Sequence, residues 1–353
     1  MFTNLVSPIN ELGYGVASFQ ILKALIKKGF PVSLFVIGEP QLTEQRDVEI
    51  VKMAMENAKF FSPDAPSIRI FHQFSLDMFP GRGRKIGWPI FEVDKFNDLE
   101  KHHLNAVDEL IVCSEWAKKV VEANGIKKKV HVVPLGTDTS FYKPDPNAPK
   151  HSNTIFLNVG KWEKRKGHEE LIAAFNKAFK PDDAVELWML TDNPFIGSKN
   201  EEWKNLYLNT PMGFRCRFFP RLPNAQGVLS LIQQSDCGVF PTKAEGWCLP
   251  ALDMLAAGKE VIITDSTGQT QWCQHDSVRR LSVAGKEKAV DGIWFKGDGE
   301  WSTINVDELA NQMLEVHRNR QNIGYRTVNE AGVKHSQSFT WDVAADKLLK
   351  VLF

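Results

Sequence analysis

Short apolar runs alternate along this chain with segments that are apolar at helical spacing, the pattern of a parallel α/β sheet. Leu5-Val6 is the first such run. The chain then passes through Gly13-Tyr14-Gly15 into a predicted helix with Ile21, Leu22, Leu25 and Ile26 on one face, closed by Gly29. Predicted strands follow at 32–37, 67–71, 109–113 and 129–134. Residues 143–150, Lys-Pro-Asp-Pro-Asn-Ala-Pro-Lys, then interrupt all periodicity and read as a linker. The pattern restarts with a strand at 154–159 and a helix at 168–179 that sets Leu171, Phe175, Ala178 and Phe179 on one face. Further strands are expected at 184–190, 216–219, 237–240 and 260–263, and an amphipathic helix runs from 339 to 352. This predicts two doubly wound domains, 1–145 and 146–336, with a terminal helix at 337–353 packing back toward the first. A ligand site is expected in the cleft between them, at the carboxyl ends of the strands.

Composition narrows the class only slightly. At 353 residues the chain can bury two ordinary cores, and its 43 basic and 43 acidic residues balance. Bulk charge therefore implies no nucleic-acid partner. Cys113, Cys216, Cys237, Cys248 and Cys273 show neither metal-ligand nor CxxC spacing, which suits reduced thiols. The first residues lack the basic region and apolar core of a signal peptide, and no apolar run approaches a membrane span. A soluble cytoplasmic protein is expected.

The densest chemistry lies in Pro241-Thr-Lys-Ala-Glu-Gly-Trp-Cys-Leu-Pro-Ala-Leu-Asp253. The apolar 237–240 reads as a buried strand, and the segment from Leu249 reads as a helix, with Pro250 in its first turn and Gly258 closing it. Glu245 and Gly246 then precede a helix N-terminus, where backbone N–H groups and the dipole favour a phosphate. Asp253, about one turn in, is placed to accept hydrogen bonds from a vicinal diol such as a ribose. The same residues also read as a solvated loop with a helix-start acid. Val159-Gly-Lys-Trp-Glu-Lys-Arg-Lys-Gly167 closes the strand at 154–159, and its Lys161 and Lys166 are suited to neutralise a departing diphosphate. A solvated basic loop is the alternative.

Those two segments carry a resemblance. Gly160 to Gly167, followed by Leu-Ile-Ala-Ala-Phe, is similar to the Gly-Arg-x-x-x-x-Lys-Gly loop of family-4 glycosyltransferases of the GT-B fold, and 245–258 resembles that family's Glu-x7-Glu helix. Gly13-Tyr-Gly15, Gly87-Trp-Pro-Ile-Phe-Glu92 (similar to a mannosyltransferase-like branch), Val133-Pro-Leu-Gly-Thr-Asp138 and Phe339-Thr-Trp-Asp342 continue the likeness in order along nearly the whole chain. Two positions depart from the pattern. Asp253 stands for the second glutamate, one methylene shorter, and Lys161 for the arginine, which keeps the charge but loses bidentate geometry.

The resemblance implies a retaining hexosyl transfer from a nucleotide-diphosphate sugar of GDP-mannose or UDP-glucose type. Gly160, Lys161 and Lys166 would hold the donor diphosphate, with Gly13 and Gly15 allowing backbone approach to it. Glu245 would face the sugar, amides of Gly246, Trp247, Cys248 and Leu249 would touch its hydroxyls and the phosphate, and Asp253 would take the ribose. His72, after the strand at 67–71, would contact the sugar, and catalysis would rest on Glu245, His72 and Lys166. Glu92 and Ser114 are candidates for acceptor or sugar, although each also reads as a helix-start residue. Front-face attack, with the leaving diphosphate taking the acceptor's proton, requires no metal and no cofactor. The acceptor would be a glycan, a lipid-linked sugar or a protein; peripheral contact with the inner membrane face, and a monomer or dimer, are consistent with it. A nucleotide-sugar-binding module without turnover, or another GT-B enzyme such as a nucleotide-sugar epimerase, are the competing readings.

Overall fold

The computed structural model describes residues 2–149, 151–323 and 327–353. It falls into two compact units, Met1–Gly136 with Phe339–Phe353, and Thr137–Ser338. The first holds β1 (Thr3–Ser7), β2 (Val32–Val36), β3 (Ser67–Phe71), β4 (Lys85–Pro89), β5 (Glu109–Val112) and β6 (Lys129–Val132). Their order is β2-β1-β3-β4-β5-β6, each neighbour parallel. Leu5, Leu34, Ile68, Ile86, Leu110 and Ile111 are buried at their centre, the near-continuous apolar content that a sheet covered on both faces demands. The terminal helix Trp341–Leu352 belongs to this unit, tied to the helix Gly13–Lys27 by the ion pairs Lys27–Asp342 and Lys28–Asp346. Arg84 holds its end through the carbonyls of Val351 and Leu352.

The second unit holds β7 (Thr154–Gly160), β8 (Val185–Thr191), β9 (Cys216–Phe219), β10 (Cys237–Phe240), β11 (Glu260–Thr264) and β12 (Arg279–Leu281). They are parallel in the order β12-β11-β10-β7-β8-β9, so the strand order reverses between β7 and β10. Phe156, Leu187, Met189, Val239 and Ile262 of the strands pack with Leu171, Phe175, Leu309 and Met313 of the covering helices. A two-stranded antiparallel hairpin, β13 (Val283–Val290) and β14 (Lys296–Ile304), adds to this unit.

The division falls at Gly136, ahead of the proline-rich tract expected to be the linker. Thr137, just past the division, donates its hydroxyl to Asp253, and Pro144 of the tract packs over Gly258, so the start of the tract is part of the second unit. No described helix is long and apolar enough to cross a membrane.

Candidate functional site

In each sheet, two neighbouring strands whose crossovers leave in opposite directions open a crevice at their carboxyl ends, the place where α/β proteins take ligands. In the second unit those strands are β7 and β10. The loop after β7 carries Lys161 to Lys166, and the loop after β10 carries Glu245. Two segments about eighty residues apart are thereby brought into hydrogen-bond contact.

Their charges form one network. Glu245 is buried at 4% exposure, with Oε1 2.5 Å from Lys166 Nζ and Oε2 3.0 Å from Arg165 Nη1. Arg165 also pairs with Glu163 at 2.7 Å, and Glu163 with Lys161 at 2.5 Å. Desolvation opposes the charge on Glu245, but Lys166 and Arg165 outweigh it and hold the carboxyl below its ordinary range. Desolvation acts likewise on Glu163, where Arg165, Lys161 and Lys166 prevail and bring it down to about 2. Both acids are ionised at neutral pH, and three cations face them. This corner therefore carries a net positive charge that suits an anionic ligand.

The loops are held from behind. Gly167 sits at φ +71°, and a Cβ on it would meet the Pro241 carbonyl oxygen at 1.9 Å, so only glycine fits where the two loops cross. At Gly160 a Cβ would meet nothing closer than the Lys166 side chain at 3.7 Å, so that glycine is not required by the chain itself. His168 is fully buried, and its Nε2 lies 2.9 Å from the Lys161 carbonyl. A carbonyl only accepts, so Nε2 carries the proton and Nδ1 faces the Tyr207 hydroxyl. Burial pushes this imidazole down to about 4, so it stays neutral and holds the loop after β7 without adding charge. Across the crevice, the Glu245 N–H donates to Thr267 Oγ1 at 3.0 Å and its carbonyl accepts from Gly268 N–H at 2.9 Å. A Cβ on Gly268 would come within 2.0 Å of the Gly246 carbonyl. Trp272 donates its indole N–H to the Trp247 carbonyl at 2.9 Å.

Cys248 and Thr267 adopt φ of 66° and 54°, a left-handed conformation that costs a residue with a side chain about 1 kcal/mol or more and gathers at ligand clamps. Cys248 is the N-cap of the helix Leu249–Ala256 and offers no side-chain oxygen to its first turn. Burial and the Glu245 charge push its thiol well up, so it is no nucleophile. Asp253 lies on the same helix and accepts a 2.5 Å hydrogen bond from Thr137. Desolvation lifts its carboxyl to about 7 against that bond, and Asp138 adds to the rise. The phenol of Tyr142 is pushed up by burial and by the Asp253 and Asp138 charges, which puts it beside the expected ribose acid.

In the first unit the strand order reverses between β1 and β3, and the residues beyond their carboxyl ends meet. Tyr14 donates to the Ile90 carbonyl at 2.5 Å, so the 3.0 Å contact to His72 is a bond from Nδ1–H to the phenol oxygen. His72 also stacks on Phe74, with centroids 4.8 Å apart. Of the two glycines flanking Tyr14, only Gly15 is fixed sterically. Its Cβ would meet Asn10 at 2.2 Å, while Gly13 has open space around it. Ser114 is the N-cap of the helix Glu115–Ala123, accepting from Ala117 N–H at 3.1 Å. Glu92 is half-buried beyond β4, and its charge adds to the burial that pushes the Cys113 thiol up.

Motif reading identified Lys161, Lys166, Glu245 and Asp253 but not Arg165, Glu163, His168, Tyr14 or Tyr142. Arg165 and Glu163 stood inside the quoted loop, where their charge pairing was the available signal. Tyr14 and Tyr142 gave none, because their partners are distant in sequence, and His168 gave none because a bond from its ring to the Lys161 carbonyl leaves no mark in residue type. No cluster of three His, Cys, Asp or Glu suited to a metal occurs among the described residues.

Residues 141–293 match the family model for glycosyl transferases group 1, so this stretch is a group 1 glycosyltransferase domain. Two parallel Rossmann-like units of this kind make a GT-B fold. Among solved structures, sucrose-phosphate synthase from Thermosynechococcus elongatus superposes with a TM-score of 0.73 over 99% of this chain and 98% of that one, at 16% identity. The Anabaena HepE protein in complex with UDP-glucose gives 0.71 over 100% and 99%, at 15% identity. In sequence the chain is 25% identical over 262 residues to the D-inositol 3-phosphate glycosyltransferase of Corynebacterium diphtheriae, covering 73% of this chain and 53% of that protein. The Segniliparus rotundus protein of the same name is 23% identical over 230 residues, covering 63% and 46%. The chain thus spans about half the length of these curated relatives.

Proposed function

We propose that this protein transfers a hexosyl group from a nucleotide-diphosphate sugar to an acceptor hydroxyl, with retention at the anomeric carbon. The observation that carries this reading is the ionised Glu245 held between Lys166 and Arg165 at the β7–β10 reversal, on a group 1 glycosyltransferase domain. Glycosidic cleavage passes through an oxocarbenium-like state while charge builds on the leaving group. Lys161 and Lys166 take the diphosphate and stabilise that charge as the bond breaks. Glu245, being ionised and buried, is no general acid. It accepts hydrogen bonds from sugar hydroxyls and faces the positive charge developing on the ring. The leaving phosphate oxygen takes the acceptor's proton, so the lysines do the work that a divalent cation does elsewhere, and neither metal nor cofactor is needed.

Asp253 receives the ribose, and Tyr14 and His72 of the first unit are assigned to the sugar or acceptor side. UDP-glucose and GDP-mannose are the donor types proposed, the first supported by the HepE neighbour bound to UDP-glucose. The acceptor is a glycan, a lipid-linked sugar or a protein. The test is nucleotide release from these donors with wild type and Lys166→Ala side by side, in the presence of EDTA. Release by wild type that EDTA leaves intact and the variant loses by about a hundredfold is expected. Complete loss in EDTA with rescue by manganese would overturn the metal-free mechanism, and donor binding without release would leave a binding module.

A further inference from the structure

Three cations face Glu163 and Glu245, but they are not equivalent. The Lys161 and Lys166 side chains are 32% and 15% exposed, whereas that of Arg165 is 7% exposed. Arg165 spans both acids, with Nη2 2.7 Å from Glu163 Oε2 and Nη1 3.0 Å from Glu245 Oε2. Nη1 also donates to the Ala244 carbonyl at 3.0 Å, and the Arg165 carbonyl accepts from Lys243 N–H at 2.7 Å. Both ends of this residue are therefore bonded into the loop that carries Glu245.

A diphosphate arriving at this corner competes with Glu245 for Lys166. Were Lys166 its sole partner, donor binding would strand a buried carboxylate, which would take up a proton and lose its use as an acceptor. We propose that Arg165 is the positioning residue of the transfer, holding Glu245 in place and ionised while Lys166 turns to the donor diphosphate. The role rests on the transferase reading above. It calls for a planar fork that grips two carboxylates at once, a geometry that lysine's single ammonium lacks. The groups facing Glu245 are Arg165 and Lys166 from one loop, the neutral Cys248 thiol at the helix start and the Thr267 hydroxyl, with Glu163 and Lys161 behind them.

The experiment is donor turnover by wild type, Arg165→Lys and Arg165→Gln between about pH 4 and 8.5, with kcat and KM separated, using UDP-glucose and GDP-mannose. Folding of each variant is checked by thermal melting. The role expects the acid limb of kcat, which starts below the ordinary carboxylate range, to move up by about one pH unit in Arg165→Lys, a loss that approaches tenfold at the acid end and is gone by neutral pH. Donor KM should stay within about threefold, and Arg165→Gln should show the larger shift. An acid limb that stays in place, or a loss by the same factor at every pH, overturns the role, since a merely structural residue behaves so. Should neither variant fold, Glu163→Gln leaves Arg165 to Glu245 and must move the limb downward, and an unmoved limb overturns it equally. A folded wild type that turns over neither donor defeats the transferase reading itself and takes the Arg165 role with it.

Discussion

Two glycines bracket the loop after β7, and the structure separates them. Gly167 is confined by φ +71° and by the Pro241 carbonyl 1.9 Å from where a Cβ would sit, while Gly160 faces the Lys166 side chain at 3.7 Å. Gly167→Ala should therefore cost about 2 kcal/mol or more in urea denaturation, with the switch-point loops forced apart, and Gly160→Ala less than about 1 kcal/mol. Equal effects would contradict the crossing described here. Asp253 gives a second test. Its carboxyl stands at about 7 in the fold against an ordinary 3.8, so folding favours the protonated form. The associated stabilisation is present in full below the ordinary value and is lost as pH rises through about 7. Asp253→Asn should melt progressively higher relative to wild type as pH rises from about 5 to 8, and a constant difference would contradict the shift. At this scale the sequence was legible where charge type sufficed, as for Lys161, Lys166 and Glu245. It was silent where a role depends on a partner far along the chain, as for His72 with Tyr14 or Asp253 with Thr137.

Among the elements, the hairpin β13–β14 is bound to the site loop through Lys243. That side chain is 3% exposed and pairs with Glu170 at 2.7 Å and Glu287 at 2.9 Å. Its backbone carbonyl accepts from Ser302 N–H at 3.0 Å. Removing the ammonium leaves two acids without their shared partner, so Lys243→Met should cost about 3 kcal/mol in denaturation. Glu287→Gln, which keeps a hydrogen-bonding oxygen, should cost about 1 kcal/mol. Near-neutral Lys243→Met would show that the hairpin is not anchored there. Apolar periodicity gave β3, β9 and β10 with their bounds, because each is a short run in which apolar residues predominate. It missed β4, whose Gly87 and Pro89 argue against a strand. Gly87 is there because a Cβ would press on Leu76 and Leu110 at 3.0 and 3.2 Å. It also missed the hairpin, whose first strand carries the run Lys286-Glu-Lys288 and so lacks an apolar face.

For the whole molecule, two successive α/β units were readable from the restart of periodicity, but the strand order was not, because nothing local encodes which strands become neighbours. That order is what places the loop after β7 beside Glu245 and turns two motifs into one charged site. The division into units falls at Gly136, and Pro144 of the proline-rich tract packs over Gly258 of the second unit. On the function proposed above, this site holds a nucleotide-diphosphate sugar through Lys161 and Lys166. The deciding measurement is calorimetric titration of UDP, UDP-glucose and GDP-mannose into wild type and Lys166→Ala. Binding of one nucleotide series, weakened in Lys166→Ala by about tenfold or more and falling with added salt, is the expected result. Equal affinity in both proteins, or no binding of any of the three, would contradict it.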